Sequence, residues 1–425
     1  MKNKLILLVL SLGPFFAFSQ PPQTLKLEDC YEKAKANYPL YQQSALLAQA
    51  TQVQLDRIHS ERLPQISWNA QASLQTENVK FPFDLPIPGG NLDLPLYRFQ
   101  TTADLQYTIY DGGMLEARQK IERANLAASQ QQVVVELDKL KAQANQYIFG
   151  ILLQREKIDI QRNALQTLED KIKTLEAAVR HGVALEGDVD KLKVEVLRLQ
   201  SETEQAQGNI RALVASLSDL IGEPLSNDIK FELPGPEAIP ADVLLQRPEL
   251  KLFAYQKASI LAREDMIAAS WRPKVGAFVQ AGIGAPNPLN FFDDSLSPFA
   301  MGGVKFSWNF IDWKQASRDR QLLSLNSQLV DTQRATFEAN INRMDGKYRE
   351  DVATLETLIS RDEEIAQLQE RILRQISAQL DQGVATSTDY VTQSNALQQA
   401  QLNRQLHELQ LLQTRIDYLA IKGSL

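Results

Sequence analysis

The sequence predicts a mainly α-helical chain with transmembrane β-strands, built as a duplicated helix, strand, strand, long-helix unit. Three observations carry this prediction. Residues recur at constant offsets, some segments alternate apolar with polar side chains, and two helical runs of nearly seventy residues contain no proline.

The duplication comes first, because a missed repeat distorts every later assignment. Pro39 and Pro248 are 209 residues apart, and so are Pro64 and Pro273. Asp111 and Asp312 are 201 apart, as are Tyr147 and Tyr348, Gly182 and Gly383, Val183 and Val384, Ala184 and Ala385, and Asp188 and Asp389. Two fixed offsets mean two copies of one unit, the first longer by eight residues between Pro64 and Asp111. Residues 20–222 form the first repeat, 223–247 an inter-repeat linker and 248–425 the second repeat.

Residues 1–19 stand apart from the repeats. Lys2 and Lys4 precede a short apolar stretch, Leu5 to Phe18, that ends at Ala17-Phe18-Ser19. This is the layout of a secretory signal cut near Ser19-Gln20. The stretch is too short for a membrane helix, and Gly13-Pro14 interrupts it. Removing it takes the net charge from −7 to −9. The mature chain is therefore expected outside the cytoplasm.

Each repeat opens with a helical segment, near Leu27 to Arg62 and near Ala241 to Trp271, ended by Pro64 and Pro273. The period then changes to two. Ile66, Trp68, Ala70, Ala72 and Leu74 alternate with Gln65, Ser67, Asn69, Gln71 and Ser73. Tyr97 to Ile109 alternate in the same way with Arg98 to Thr108. In the second repeat Val275, Ala277, Val279, Ala281 and Ile283 share a face, as do Val304, Phe306, Trp308 and Phe310.

Four strands are thus predicted, at about 64–76, 96–110, 273–284 and 299–311. Their polar faces hold Gln, Ser, Thr and Asn more than charge, which suits a water-filled lumen better than an exposed surface. Four strands cannot close a barrel, and open edges in lipid would leave backbone groups unsatisfied. The chain must pool strands with copies of itself. Eight from two copies or twelve from three both satisfy that arithmetic.

Long helices follow at about 114–180 and 314–381, each with one glycine (Gly150, Gly346) and apolar residues at three- and four-residue steps. At 1.5 Å per residue each reaches about 100 Å, which reads as projecting coiled coil. Both end at one turn pattern, Gly182-Val183-Ala184 and Gly383-Val384-Ala385, with Asp188 and Asp389 six residues after the glycine. Glycine supplies the left-handed helix cap, and aspartate starts the return helix.

Composition excludes other classes. Hydrophobic residues make up 44% of the 425, too many for a disordered chain, and net charge −7 disfavours a nucleic-acid partner. One cysteine forbids a disulfide framework, and Cys30 reads as a small buried apolar side chain. His59, His181 and His407 are scattered, without metal-ligand spacing. Gly282-Ile283-Gly284 lacks the third glycine of a nucleotide fingerprint and leads into Pro286. No catalytic residue, cofactor or metal site is expected.

With these residues the chain resembles the TolC family of outer-membrane efflux proteins across essentially its whole mature length. The resemblance rests on the duplicated order and on the paired tip pattern at the ends of the long helices. It implies a homotrimer with a twelve-stranded barrel in outer-membrane lipid and a coiled-coil helical tunnel in the periplasm. It also implies a periplasmic adaptor protein and an inner-membrane transporter as partners. By the same resemblance the loops Glu77 to Pro95 and Gly284 to Pro298 face the exterior.

The resemblance further implies roles for the tips. Gly182, Val183, Ala184, Gly383, Val384 and Ala385 would meet the adaptor, and Asp389, with Asp188 beside it, would ring the closed aperture. The chain departs from the family at two positions, having Thr392 where some members carry a second aspartate and Ala385 where some carry a latch arginine. Helix capping is the plain alternative for both aspartates. The implied function is an exit duct for small-molecule efflux, drug or metal. The alternatives are the outer component of one-step (type I) protein secretion and an exported coiled-coil scaffold without channel activity.

Overall fold

A computed structural model describes residues 24–77, 95–234, 243–290 and 293–424. The expected export signal lies outside the described residues, as do residues 78–94 and 291–292 of the two expected exterior loops. The chain divides into two compact units. One comprises Pro39–Asp138 and Leu244–Met344; the other comprises the segment ending at Tyr38 with Lys139–Val243 and Asp345–Leu425.

The first of these units holds the large sheet. Helix α2 (Gln43–Ser60) leads to β2 (Gln65–Leu74) and β3 (Tyr97–Tyr110), and helices α6 (Pro248–Leu261) and α7 (Glu264–Ser270) lead to β5 (Lys274–Ala285) and β6 (Ser297–Ser307). The strands form one antiparallel sheet in the order β2-β3-β5-β6, so the two repeats join at β3 and β5. Gly282 permits that junction, because a Cβ there would lie 2.1 Å from the Thr101 carbonyl oxygen. Neither β2 nor β6 has an outer neighbour among the described residues.

One face of the sheet is apolar and open. Trp68 is 81% exposed and Leu74 88%, with Ile66, Val304 and Phe306 also uncovered. The indole of Trp68 donates to Thr101 Oγ1 at 2.7 Å, which gives a partner to the one aliphatic hydroxyl on this face. An apolar face of this extent on a soluble chain would drive association. Against lipid it is the stable arrangement. No helix among the described residues is long and apolar enough to cross a membrane.

Helix α3 (Met114–Asp138) packs on α2 and α6 through Leu115, Ala117, Val133, Val135 and Leu137. Arg247 ties α6 to it, with its guanidinium 3.0 Å from Asp138.

The second unit is a helical bundle of α1 (Leu27–Asn37), α4 (Leu140–Arg180), α5 (Glu186–Ile221), α9 (Ser387–Lys422) and the later part of α8 (Gln315–Asp381). Helix α1 buries Leu27, Cys30, Tyr31 and Ala34, a spacing that places all four on one face. Burial pushes the Cys30 thiol up to about 11, despite the nearby Lys33 charge, so it is an inert packing group. Tyr31 donates to Asn145 Oδ1 at 2.5 Å and Asn145 donates to Asp417 at 2.9 Å, a buried polar chain with every member partnered.

The structure corrects five expectations. The first opening helical segment is broken at Tyr38, which is extended because Pro39 follows it, and the second begins only at Pro248, after extended Arg247. The helices also stop at Ser60 and Ser270, four and three residues before Pro64 and Pro273. The first long helix is two, α3 and α4, parted at Lys139, where an Ala142 N–H to Lys139 O bond of 3.2 Å tightens the turn.

The fourth strand ends at Ser307, because its partner β5 begins at Lys274 and the ladder has no further rung. Within the linker, finally, β4 (Lys230–Glu232) pairs in parallel with β1 (Thr24–Lys26). Arg155 holds it there by donating to the carbonyls of Ile229 at 2.6 Å and Asn227 at 2.7 Å.

Candidate functional site

The tip residues lie together in the helical unit. Helix α4 ends at Arg180, and Gly182 takes φ +74°, with its N–H on Val179 O and the Val183 N–H on Ala178 O. Helix α8 ends the same way, with Gly383 at φ +73° and the Val384 N–H on Gln379 O at 2.8 Å. Both glycines adopt a conformation that is costly for L-residues, and this reverses the chain within a few residues.

Beneath the turns Leu168, Leu175, Val189, Leu192, Leu199, Leu380 and Tyr390 form one buried cluster, with Ala184 and Ala385 packed against it. Each fully buried leucine contributes about 1.5–3 kcal/mol. Val183 and Val384 point the other way, 74% and 73% exposed. The structure thus separates the six expected docking residues into a turn former, an exposed apolar tip and an inward anchor in each copy.

The two aspartates do different work. Asp389 closes a capping box: its N–H donates to Thr386 Oγ1 at 3.2 Å, and its carboxylate accepts from the Thr386 N–H at 3.0 Å. The Thr386 hydroxyl and N–H hold the Asp389 carboxyl below the usual range. Asp188 caps nothing, which corrects the capping alternative for the first repeat. The residue before α5 is Leu185, which has no side chain to accept from the helix start. The Asp188 carboxylate instead accepts from the hydroxyl of Ser387, which is fully buried, and so bridges the two tips.

A residue that the sequence reading missed completes the site. Lys171 of α4 is 6% exposed, and its ammonium reaches Asp381 Oδ1 at 2.7 Å and both oxygens of Ser377 at 2.9 Å, over the ring of Tyr390. The signal was present: Leu168, Lys171 and Leu175 continue one apolar stripe, and a lysine inside such a stripe needs a partner. Along the return helices Arg198 of α5, paired with Glu195 and Glu202, donates to Asn395 of α9 at 2.9 Å. The first hairpin is therefore tied to the second by polar contacts at several levels. Thr392 donates to Thr388 O at 2.8 Å and plays no part in these ties.

Among the described residues no group of three or more His, Cys, Asp or Glu side chains is placed to hold a metal. The arrangement offers no nucleophile paired with a base and no polar groups converging on a closed pocket. What it offers is a pair of hairpin tips tied to one another by polar contacts.

This architecture, an antiparallel sheet of amphipathic strands with two long helical hairpins, is a fold shared with outer-membrane channels of known structure. The chain matches VceC, an outer membrane protein of Vibrio cholerae, at 15% identity over 93% of this chain and 96% of that one, with a TM-score of 0.65. It matches CusC, a former of transmembrane channels, at 14% identity over 93% and 91%, with a TM-score of 0.69. The open-state outer membrane channel MtrE of Neisseria gonorrhoeae matches at 16% identity over 93% and 88%, with a TM-score of 0.63. No curated protein matches the sequence significantly.

Residues 30–223, essentially the first repeat, match the model of the outer membrane efflux protein family. The fold of the whole chain is likewise that of the matched outer-membrane channels. The family is one of transport channels and not of enzymes.

Proposed function

We propose that the chain is the outer-membrane exit duct of a three-part export system, and that it passes small molecules from a periplasmic adaptor and an inner-membrane pump to the exterior. The observation that carries this reading is the sheet. It has one apolar face, one polar face and two unpaired edges. Such a sheet is stable in lipid only when copies of the chain close it, since each unsatisfied backbone group costs several kcal/mol there. Three copies, giving twelve strands, fit the fold of the matched channels.

The tips support the rest. Exposed Val183, Leu185 and Val384 present an apolar surface to a partner's helical hairpin, and Asp389 would face the axis as a cation-attracting ring. The duct has no energy source of its own, so the pump sets direction and much of the choice of cargo.

The test is accumulation of a fluorescent efflux dye in a deletion strain and in the strain with the gene restored. Higher accumulation on deletion, reversed on restoration, is the expected result. Unchanged dye with a protein missing from the medium would replace it with one-step protein secretion. A detergent-free soluble protein without conductance would replace it with a coiled-coil scaffold. Val183→Asp with Val384→Asp should abolish efflux while leaving the protein in the outer membrane. Asp389→Asn should alter conductance, and an unchanged pore would leave that residue as a helix cap alone.

A further inference from the structure

The polar face of the sheet is uneven in charge. The pairing register places Arg98 and Asp104 of β3, Lys274 of β5 and Lys305 of β6 on this face, among Gln, Ser, Thr, Asn and glycine, with Phe278, Phe299 and Met301 the large apolar members. No other charged residue of the four strands lies on either face. Three cations against one anion leave each chain with a surplus of two positive charges here, although the whole protein carries −7.

The lone carboxylate is already engaged. Asp104 accepts from Asn69 at 2.6 Å, Gln280 at 2.6 Å and Thr102 at 2.9 Å, a network that spans three strands. The two lysines are in the opposite situation. Lys305 lies opposite Gly276 and Lys274 opposite Ser307, so the two are diagonal neighbours on adjacent strands, roughly 7–8 Å apart at Cα. Both side chains are exposed, and neither makes an ion pair among the described residues. They border a hollow of about 500 Å³ whose wall also includes Asp104, Gln106, Thr108 and Gln280. Two unpaired like charges at that spacing repel, and an anion between them relieves both.

We infer that Lys274 and Lys305 make the helix-side mouth of the sheet's polar face an anion-attracting step, which favours carboxylate-, sulfate- or phosphate-bearing cargo over cations. This rests on the reading that the polar face lines a water-filled lumen. In a trimer six ammoniums would ring that mouth, where low-dielectric walls focus their field.

The test places a reporter thiol on this face, Ser307→Cys or Thr108→Cys, in a Cys30→Ala background, with the assembled protein in lipid vesicles. Labelling rates are compared for water-soluble thiol reagents identical in reactive group but anionic or cationic in tail. The anionic reagent should react faster, and Lys274→Gln with Lys305→Gln should lower the anionic-to-cationic rate ratio by at least about threefold, an effect that added salt should shrink. A ratio that does not respond to the lysines would overturn the inference while leaving the duct intact. Labelling by neither reagent in vesicles, with full labelling after unfolding, would show that the face meets no water and would sink the duct reading as well.

Discussion

The two repeats share a backbone and differ in how they hold it. At the turn from strand to long helix, Asp111 accepts from the N–H groups of Gly113 and Leu115 at 2.8 and 2.7 Å, and Asp312 accepts from those of Lys314 and Ala316 at 3.0 and 3.4 Å. The following two residues are left-handed in both copies. In the first they are Gly112 and Gly113; in the second they are Trp313 at φ +48° and Lys314 at φ +66°. The aspartate geometry therefore dictates the turn, and glycine is an option and not a requirement.

The helical levels differ in a complementary way. Ala144 and Ile148 are buried in the first repeat, while their counterparts Asp345 and Arg349 form an ionic cluster with Lys422 and Tyr418. At the tips the second repeat has a capping box and the first has Leu185. One copy is held mainly by apolar burial, the other by charge and hydrogen bonds. Duplication conserves shape, and each copy satisfies that shape with different chemistry.

Six substitutions sharpen this comparison. The largest effect is expected for Gly112→Ala, because the new Cβ would lie 2.9 Å from the Ala269 carbonyl oxygen at φ +76°. A loss of about 3 kcal/mol is expected, read as a lowered thermal midpoint in detergent. Trp313→Ala at the matching position should cost far less, and equal losses would break the comparison.

Lys171→Met should come next. It keeps the buried stem and removes the charge-assisted bonds to Asp381 and Ser377, a loss of about 2 kcal/mol together with higher conductance of the tip. If conductance stays at the wild-type level, the tie between hairpins does not hold the end shut.

The ionic cluster makes the second repeat sensitive to acid. Desolvation alone would raise the Asp345 carboxyl, but hydrogen bonds from Lys422, Arg349 and Tyr418 outweigh it and hold the pKa down at about 2. The folded value lies below the unfolded one, so the stabilisation is complete above roughly pH 4 and is lost as pH falls toward 2. Asp345→Asn should flatten that part of the stability–pH profile, and an unchanged profile would assign the acid sensitivity elsewhere.

The smallest effects belong to the caps. Thr386→Ala should cost about 1 kcal/mol, and Leu185→Thr should recover up to about that much in the first repeat by giving α5 an acceptor. A destabilised Leu185→Thr protein would show that the exposed leucine is required for packing and not merely tolerated.

The periodicities were legible because they are local. Alternation from Ile66 to Leu74 and helical spacing along α8 report which face of each element avoids water, whatever the partner. The break at Tyr38 and the helix start at Pro248 were equally legible in principle, since proline disfavours helix in the residue before it. The parting at Lys139 was not, for no proline or glycine marks it. The partners of Lys171 and Asp188 were hidden as well, because Asp381 lies 210 residues from Lys171 and Ser387 lies 199 from Asp188.

By itself the sequence determined the duplication, the amphipathic strands, the glycine turns and the resemblance to outer-membrane efflux proteins. All are written in near-neighbour spacing or in constant offsets. Only the tertiary structure decided that β3 and β5 join the repeats, that Asp389 caps while Asp188 bridges, and that Lys274 and Lys305 share one face with a single engaged carboxylate. Strand register and long-range hydrogen bonds are set by which distant segments meet, and that is a property of the packed chain and not of any stretch within it.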